Sequence, residues 1–253
     1  YSAIIQRQVE IAKSFGIYGF AVYYYWFSVN SITNKNLIMD TCFDRFFNGD
    51  IILGDNFKIY FIWANEDWSN NAAFNTKEQI YNIYDIENFK SNIKTLIKYF
   101  RNVNYYKIDN KPVFYVHHPW LIPKETLYLF NRMLNQECIN EGFNGINLVV
   151  NNMRDQYENN YTDLNKYNHN PDYKKDPATT NYVDHVKENR NKNDVSLSYP
   201  ASMFFDFNNT ARLYIPNKLK SATIISNNTY PAQVENLRVL LSRYKTKREE
   251  INK

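Results

Sequence analysis

The sequence predicts an α/β fold, a (β/α)8 barrel of the TIM type represented here by six strand-then-helix units. Three observations carry that expectation. Six short apolar runs, each too brief for a helix, alternate with stretches of helical period along the 253 residues. No Gly-rich phosphate loop follows any run, which removes the main reason to prefer an open doubly wound nucleotide-binding sheet. Every run also ends in polar or aromatic residues, as barrel strands do where they open onto a site: Tyr25-Trp26, Asn65-Glu66, His117-His118, Asn151-Asn152, Asp206 to Asn209, and Ser226-Asn227. The six strands are expected to be parallel with right-handed crossovers, their ends gathered on one face. A hydrophobic content of 44% supplies the core of one domain spanning 1–253.

The first helix shows apolar residues from Ile4 to Phe15 at three- and four-residue intervals and closes at Gly16. The first strand, Tyr18 to Phe27, starts β-rich and ends in aromatics that fit either a core rim or a stacking platform. A weak helix is expected around Leu37 to Phe47. It leads into Lys58 to Trp68, the stretch around which the chain is organised. Ile59 to Trp63 is apolar on both faces, which suits a parallel strand buried between layers. Glu66 follows at the strand's C-terminal edge between Trp63 and Trp68, an arrangement that suits a sugar-sized ligand. Asn65, Glu66 and Asp67 could equally form a polar turn that caps the next segment.

Ser69 to Gln79 reads as a polar loop, and Ile86 to Phe100 as a helix capped by Asp85. Lys111-Pro112 opens the strand Val113 to Val116. Adjacent His117 and His118 on an extended segment would point to opposite faces, so no shared metal is expected, and one is left to reach a pocket as a hydrogen-bond donor. A helix from Lys124 to Glu141 ends at Gly142, and Gly145 to Val150 is the next strand. Residues 154 to 194 read as a long loop or insert containing one helix, from about Thr180 to Asn189. Ser202 to Phe207 and Ala222 to Ile225 are the last strands, and a final helix starts at Pro231.

The 30 Lys and Arg against 26 Asp and Glu are spread along the chain, so the basic pI near 8.8 does not point to a nucleic acid or a membrane partner. Cys42 and Cys138 lie far apart without metal or disulfide spacing, which fits a reducing compartment. No run approaches the roughly 18 apolar residues of a membrane span, and no signal-peptide pattern opens the chain. The opening Tyr1-Ser2-Ala3-Ile4, in mid-helix and without Met, reads as part of something longer.

Five segments in order, Gly16 to Phe20, Tyr25-Trp26-Phe27, Trp63 to Trp68, Tyr105 to Val113 and Asn208 to Arg212, resemble the WbsX-like glycosyltransferase family, also described as glycoside hydrolase family 99-like. The Trp-Ala-Asn-Glu-x-Trp block is the most specific of them. The resemblance implies a (β/α)8 barrel whose first and last strands lie outside this chain, surface-polysaccharide substrates such as O-antigen or capsule, no cofactor, and a cytoplasmic setting. Departures from the family pattern all remove charge. Asn208 stands where the family has Asp, Asn70, Asn71 and Ala72 replace a pair of arginines and a Trp, and Tyr24 replaces a His. The family's Asn-Glu-Trp-x-Glu-Gly motif, where its hydrolase relatives keep two carboxylates, is not in this sequence.

Two functions follow as expectations. One is a carbohydrate-active enzyme taking an oligosaccharide or a nucleotide-sugar, with Tyr25, Trp26, Trp63, Asn65, Glu66, Trp68, His117, Asn209 and Arg212 as sugar contacts, Glu66 the leading catalytic candidate and Asp206 a weaker one. The other is a degenerate, non-catalytic sugar-binding barrel. Moving a glycosidic bond generally uses two carboxyl groups, and Glu66 alone is well placed, so the chain by itself is expected to be inactive.

Overall fold

Helix α1 (Ser2–Ser14) feeds β1 (Gly19–Trp26) through a turn dictated by Gly16. Gly16 takes φ 73°, and its N–H and that of Ile17 return to the carbonyls of Lys13 and Ala12, which closes the helix as a Schellman motif. The computed structural model describes residues 1–30, 36–69 and 79–151, short strand segments further on, and isolated helical residues from 234 to 246. The chain divides into two compact units. The first holds Tyr1–Asn70, Lys77–Asn151 and Asn159–Leu164; the second holds Asn71–Thr76, Asn152–Glu158 and Asn165–Lys253.

In the first unit β1 is followed by β2 (Val29–Asn30), β3 (Leu37–Ile38) and α2 (Thr41–Phe47). The helix expected over Leu37 to Phe47 is therefore shorter, because Leu37 and Ile38 pair antiparallel with Tyr25 and Trp26 at the sheet edge. Next come β4 (Lys58–Trp63), β5 (Trp68–Ser69), β6 (Gln79–Tyr81) and α3 (Ile86–Phe100). Asp85 caps α3 by accepting the Asn88 N–H at 2.8 Å. β7 (Lys107–Ile108) and β8 (Lys111–Val116) form a hairpin whose two turn residues, Asp109 and Asn110, both take positive φ. A 3-10 turn, Pro119–Leu121, precedes α4 (Lys124–Asn140) and β9 (Asn147–Asn151).

β1, β4, β8 and β9 are parallel neighbours in chain order. Among the described residues, helices α1, α3 and α4 all pack on one face of this sheet. On that face Val9 and Ala12 of α1 meet Ile59, Phe20 and Val22, while Phe130 of α4 packs on Phe89, Trp63 and Phe114. Two asparagines one turn apart on α3 receive the polar tips of alternate β1 residues: Tyr24 Oη donates to Asn92 at 2.7 Å and Trp26 Nε1 to Asn88 at 2.9 Å. Gly19 is required by close approach, since a Cβ there would lie 2.1 Å from the Lys58 carbonyl oxygen.

The stretch expected as a loop from Ser69 is bounded by strand pairing: β2, β6 and β5 form a small antiparallel sheet that lays Trp68 against Phe27 and Tyr25. Within the second unit, β10 (Asn165–Tyr167) and β11 (Thr179–Asn181) are strands, so the helix expected from about Thr180 does not begin there. The β-branched pair Thr179-Thr180 favours the extended state. β12 (Phe207–Asn208) runs antiparallel to β13 (Ile224–Ser226), which is itself parallel to β11. The expectation of six parallel strands therefore holds for the first four, and the last two pair with opposite sense. Val234, Arg238, Leu241, Ser242, Lys245 and Thr246 are helical, where the final helix was expected. Among the described residues no helix is long and apolar enough to cross a membrane.

Candidate functional site

The C-terminal ends of β4 and β8 are tied together by one buried amide. After Trp63 the chain stays in the core through Ala64 and Asn65 and surfaces at Glu66. β8 ends at Val116, and His118 (φ −119°, ψ 68°) turns the chain into the 3-10 segment. Asn65 Oδ1 accepts the His118 N–H at 2.8 Å, and Asn65 Nδ2 donates to the His118 carbonyl at 2.9 Å. The amide thus imitates a strand partner and satisfies both backbone groups of a residue that no ladder pairs. Tyr84 Oη and Asn82 Nδ2 donate to the Asn65 carbonyl at 2.9 and 3.3 Å, fixing the clamp from the side of α3. Burial pushes the Tyr84 hydroxyl up to about 12 despite its bond to Asn65, with Asp67 and Glu66 adding to the rise.

So held, His118 places Nδ1 3.1 Å from Glu66 Oε2. Burial acts to raise the Glu66 pKa. The hydrogen bond to His118, a backbone hydrogen bond and the positive charge available to His118 and His117 outweigh it, holding the carboxyl below its ordinary value. An ionised carboxylate only accepts, so Nδ1 is the donor of this bond and Nε2 is the ring nitrogen that Glu66 leaves unengaged.

A run of half-exposed rings passes through the pair. His118 lies 4.2 Å from His117 and 4.9 Å from Trp120, ring centre to ring centre. His117 meets Tyr23 at 5.5 Å, Tyr23 meets Tyr25 at 6.1 Å, and Tyr25 meets Trp68 at 5.2 Å. Burial raises the Tyr23 hydroxyl pKa, and Tyr25 and Glu66 raise it further, so the Glu66 charge is felt across the patch.

Of the residues expected from sequence, Tyr25, Glu66, Trp68 and His117 come together here. Burial assigns three others elsewhere. Trp63 is 0% exposed and Trp26 3%, their rings turned toward the helices, so neither offers a face to a ligand. Asn65 is also 0% exposed and serves as the clamp rather than as a sugar contact. The two histidines do not diverge as extended neighbours would, because the turn at His118 ends the alternation. His118, Tyr23, Trp120 and Tyr84 are additions from the structure. For His118 and Trp120 the sequence signal is Pro119 between them, which prevents the extended run from continuing. Asp206, Asn209 and Arg212 lie outside the described residues.

No curated protein and no solved structure matched this chain. A family model described as "Glycosyltransferase WbsX" matches residues 1–248 of the 253, spanning the clamp, the ring patch and both compact units. With nearly its whole length matched, the chain belongs to the WbsX glycosyltransferase family.

Proposed function

We propose that the patch at the ends of β1, β4 and β8 is the sugar site of a carbohydrate-active domain that works in the assembly of surface polysaccharide such as O-antigen or capsule. The observation that carries this reading is the run of half-exposed rings flanking an ionised carboxylate, in a member of a glycosyltransferase family. Ring faces pack on the C–H faces of a sugar, and a carboxylate accepts from its hydroxyls. The substrate class is an oligosaccharide or a nucleotide-sugar. Arg212, with a guanidinium suited to bidentate contact, would answer a phosphate or an acidic sugar, and Asn209 belongs to the same motif. Sequential parallel strands with helices on one face are the arrangement a (β/α)8 barrel requires, and this supports that barrel as the fold.

The test is calorimetric titration with mannose and rhamnose oligosaccharides and with a panel of nucleotide-sugars. Binding weakened at least about tenfold by Trp68→Ala, roughly the loss of one good contact, supports the reading. Binding that ignores both Trp68→Ala and Glu66→Gln would place the sugar elsewhere.

A further inference from the structure

We propose that His118 is the general base of the transfer step, taking the proton of an acceptor hydroxyl on Nε2, with Glu66 and Asn65 as positioning residues. The inference rests on the sugar-site reading above and deepens it. Both polar atoms of the buried Asn65 side chain bond the His118 backbone, and Glu66 engages Nδ1, so the ring is held at both its backbone and one nitrogen. Tyr84 steadies Asn65, while His117 and Trp120 both pack against the ring. Among the described residues, the titratable groups facing the Glu66–His118 pair include His117 from the end of β8, Tyr23 from β1 and Tyr84 from the segment before α3. A polar turn that merely capped the next segment would not need a second residue to lock the histidine it touches.

Glu66 is the weaker choice of base, because a carboxylate held below its ordinary pKa has little affinity for a hydroxyl proton. Imidazole as a class suits neutral pH. The donor this requires is a sugar whose anomeric carbon carries a phosphate leaving group, as in a nucleoside diphosphate sugar. The acceptor O–H bond breaks and its proton passes to Nε2. The acceptor oxygen forms the new bond to the anomeric carbon, and the carbon–oxygen bond to phosphate breaks with its electron pair leaving on the phosphate. A phosphate departs as a stable anion, so the step asks for one base and no acid. The expectation of inactivity counted carboxyl groups alone, and His118 supplies a second proton-handling group.

Two measurements on this chain decide the matter. Long-range proton–nitrogen NMR of the four histidines, assigned with His118→Gln, reads the tautomer. In the neutral form of the ring a proton on Nδ1, shifting toward Nε2 in Glu66→Gln, is expected; a proton on Nε2 alone in the wild type would overturn the proposal whether or not sugar binds. Turnover of a panel of uridine, guanosine and thymidine diphosphate sugars, followed by release of the nucleoside diphosphate, reads the chemistry. His118→Gln should lower kcat by about 10²–10⁴-fold with KM little changed. Wild-type rates in His118→Gln, or no turnover of any donor by the wild type, would also count against it. If sugars fail to bind while the tautomer is as expected, the sugar-site reading fails and the fixed ring remains.

Discussion

The two faces of the β1–β4–β8 sheet are made from alternate residues of the same strands and have opposite fates. Tyr24, Trp26, Phe61, Trp63 and Phe114 point at the helices and are buried, stacked on one another and on Phe130. Tyr23 and Tyr25 occupy the intervening positions of β1 and remain accessible beside His117 and Trp68. Trp63 and Trp68 flank Glu66 at similar distance in the chain, yet one is core and the other borders the site. Register, not residue type, separates a ring that holds the fold from a ring that can meet a ligand.

The contrast is broken most severely by truncating the buried face. Trp63→Ala should cost about 3–5 kcal/mol in urea unfolding, because a large cavity opens among Phe114, Phe130 and Tyr84. A loss near zero would mean that the helices do not depend on this face. Gly19→Ala should cost about 1–3 kcal/mol, since its Cβ meets Lys58 backbone rather than a movable side chain. Tyr24→Phe comes next, at about 1–3 kcal/mol: it leaves buried Asn92, whose Nδ2 already lacks a partner, without its one side-chain bond.

The site face should respond differently. Glu66→Gln should change stability at pH 7 by less than about 1 kcal/mol, as polar changes at accessible positions do. Its pH dependence has a defined sign. A carboxyl whose folded pKa lies below its unfolded value of 4.5 stabilises the protein above that value, and the contribution fades as pH falls through the lower folded pKa. Acid unfolding profiles of wild type and Glu66→Gln should therefore separate above pH 4.5 and converge as pH falls through the lower folded pKa of Glu66. The smallest stability effect is expected from Trp68→Ala, where lost sugar affinity rather than lost stability is the readout.

What was legible in the sequence follows the strength of each local signal. Helix Ile86–Phe100 and its Asp85 cap could be read to the residue, because a single apolar stripe and a capping side chain agree. Glu66 could be found because it stands where a buried strand must end. Strands β2, β5 and β6, two or three residues long, carry no period to read. Trp26 and Trp63, expected as sugar contacts, are core, because a run apolar on both sides does not reveal which side the helices cover. His118 is legible only as one of an undistinguished pair with His117, because strand alternation cannot be carried past Val116, where β8 ends.

Two of the four tryptophans are core and two border the ring patch, which makes their indole N–H signals the most direct test of the central claim. In proton–nitrogen spectra, adding a mannose or rhamnose oligosaccharide should shift Trp68 and Trp120 and leave Trp26 and Trp63 in place. Movement of Trp26 and Trp63 with Trp68 and Trp120 unmoved, or no shift of any of the four at saturating sugar, would contradict the assignment of the ring patch as the site.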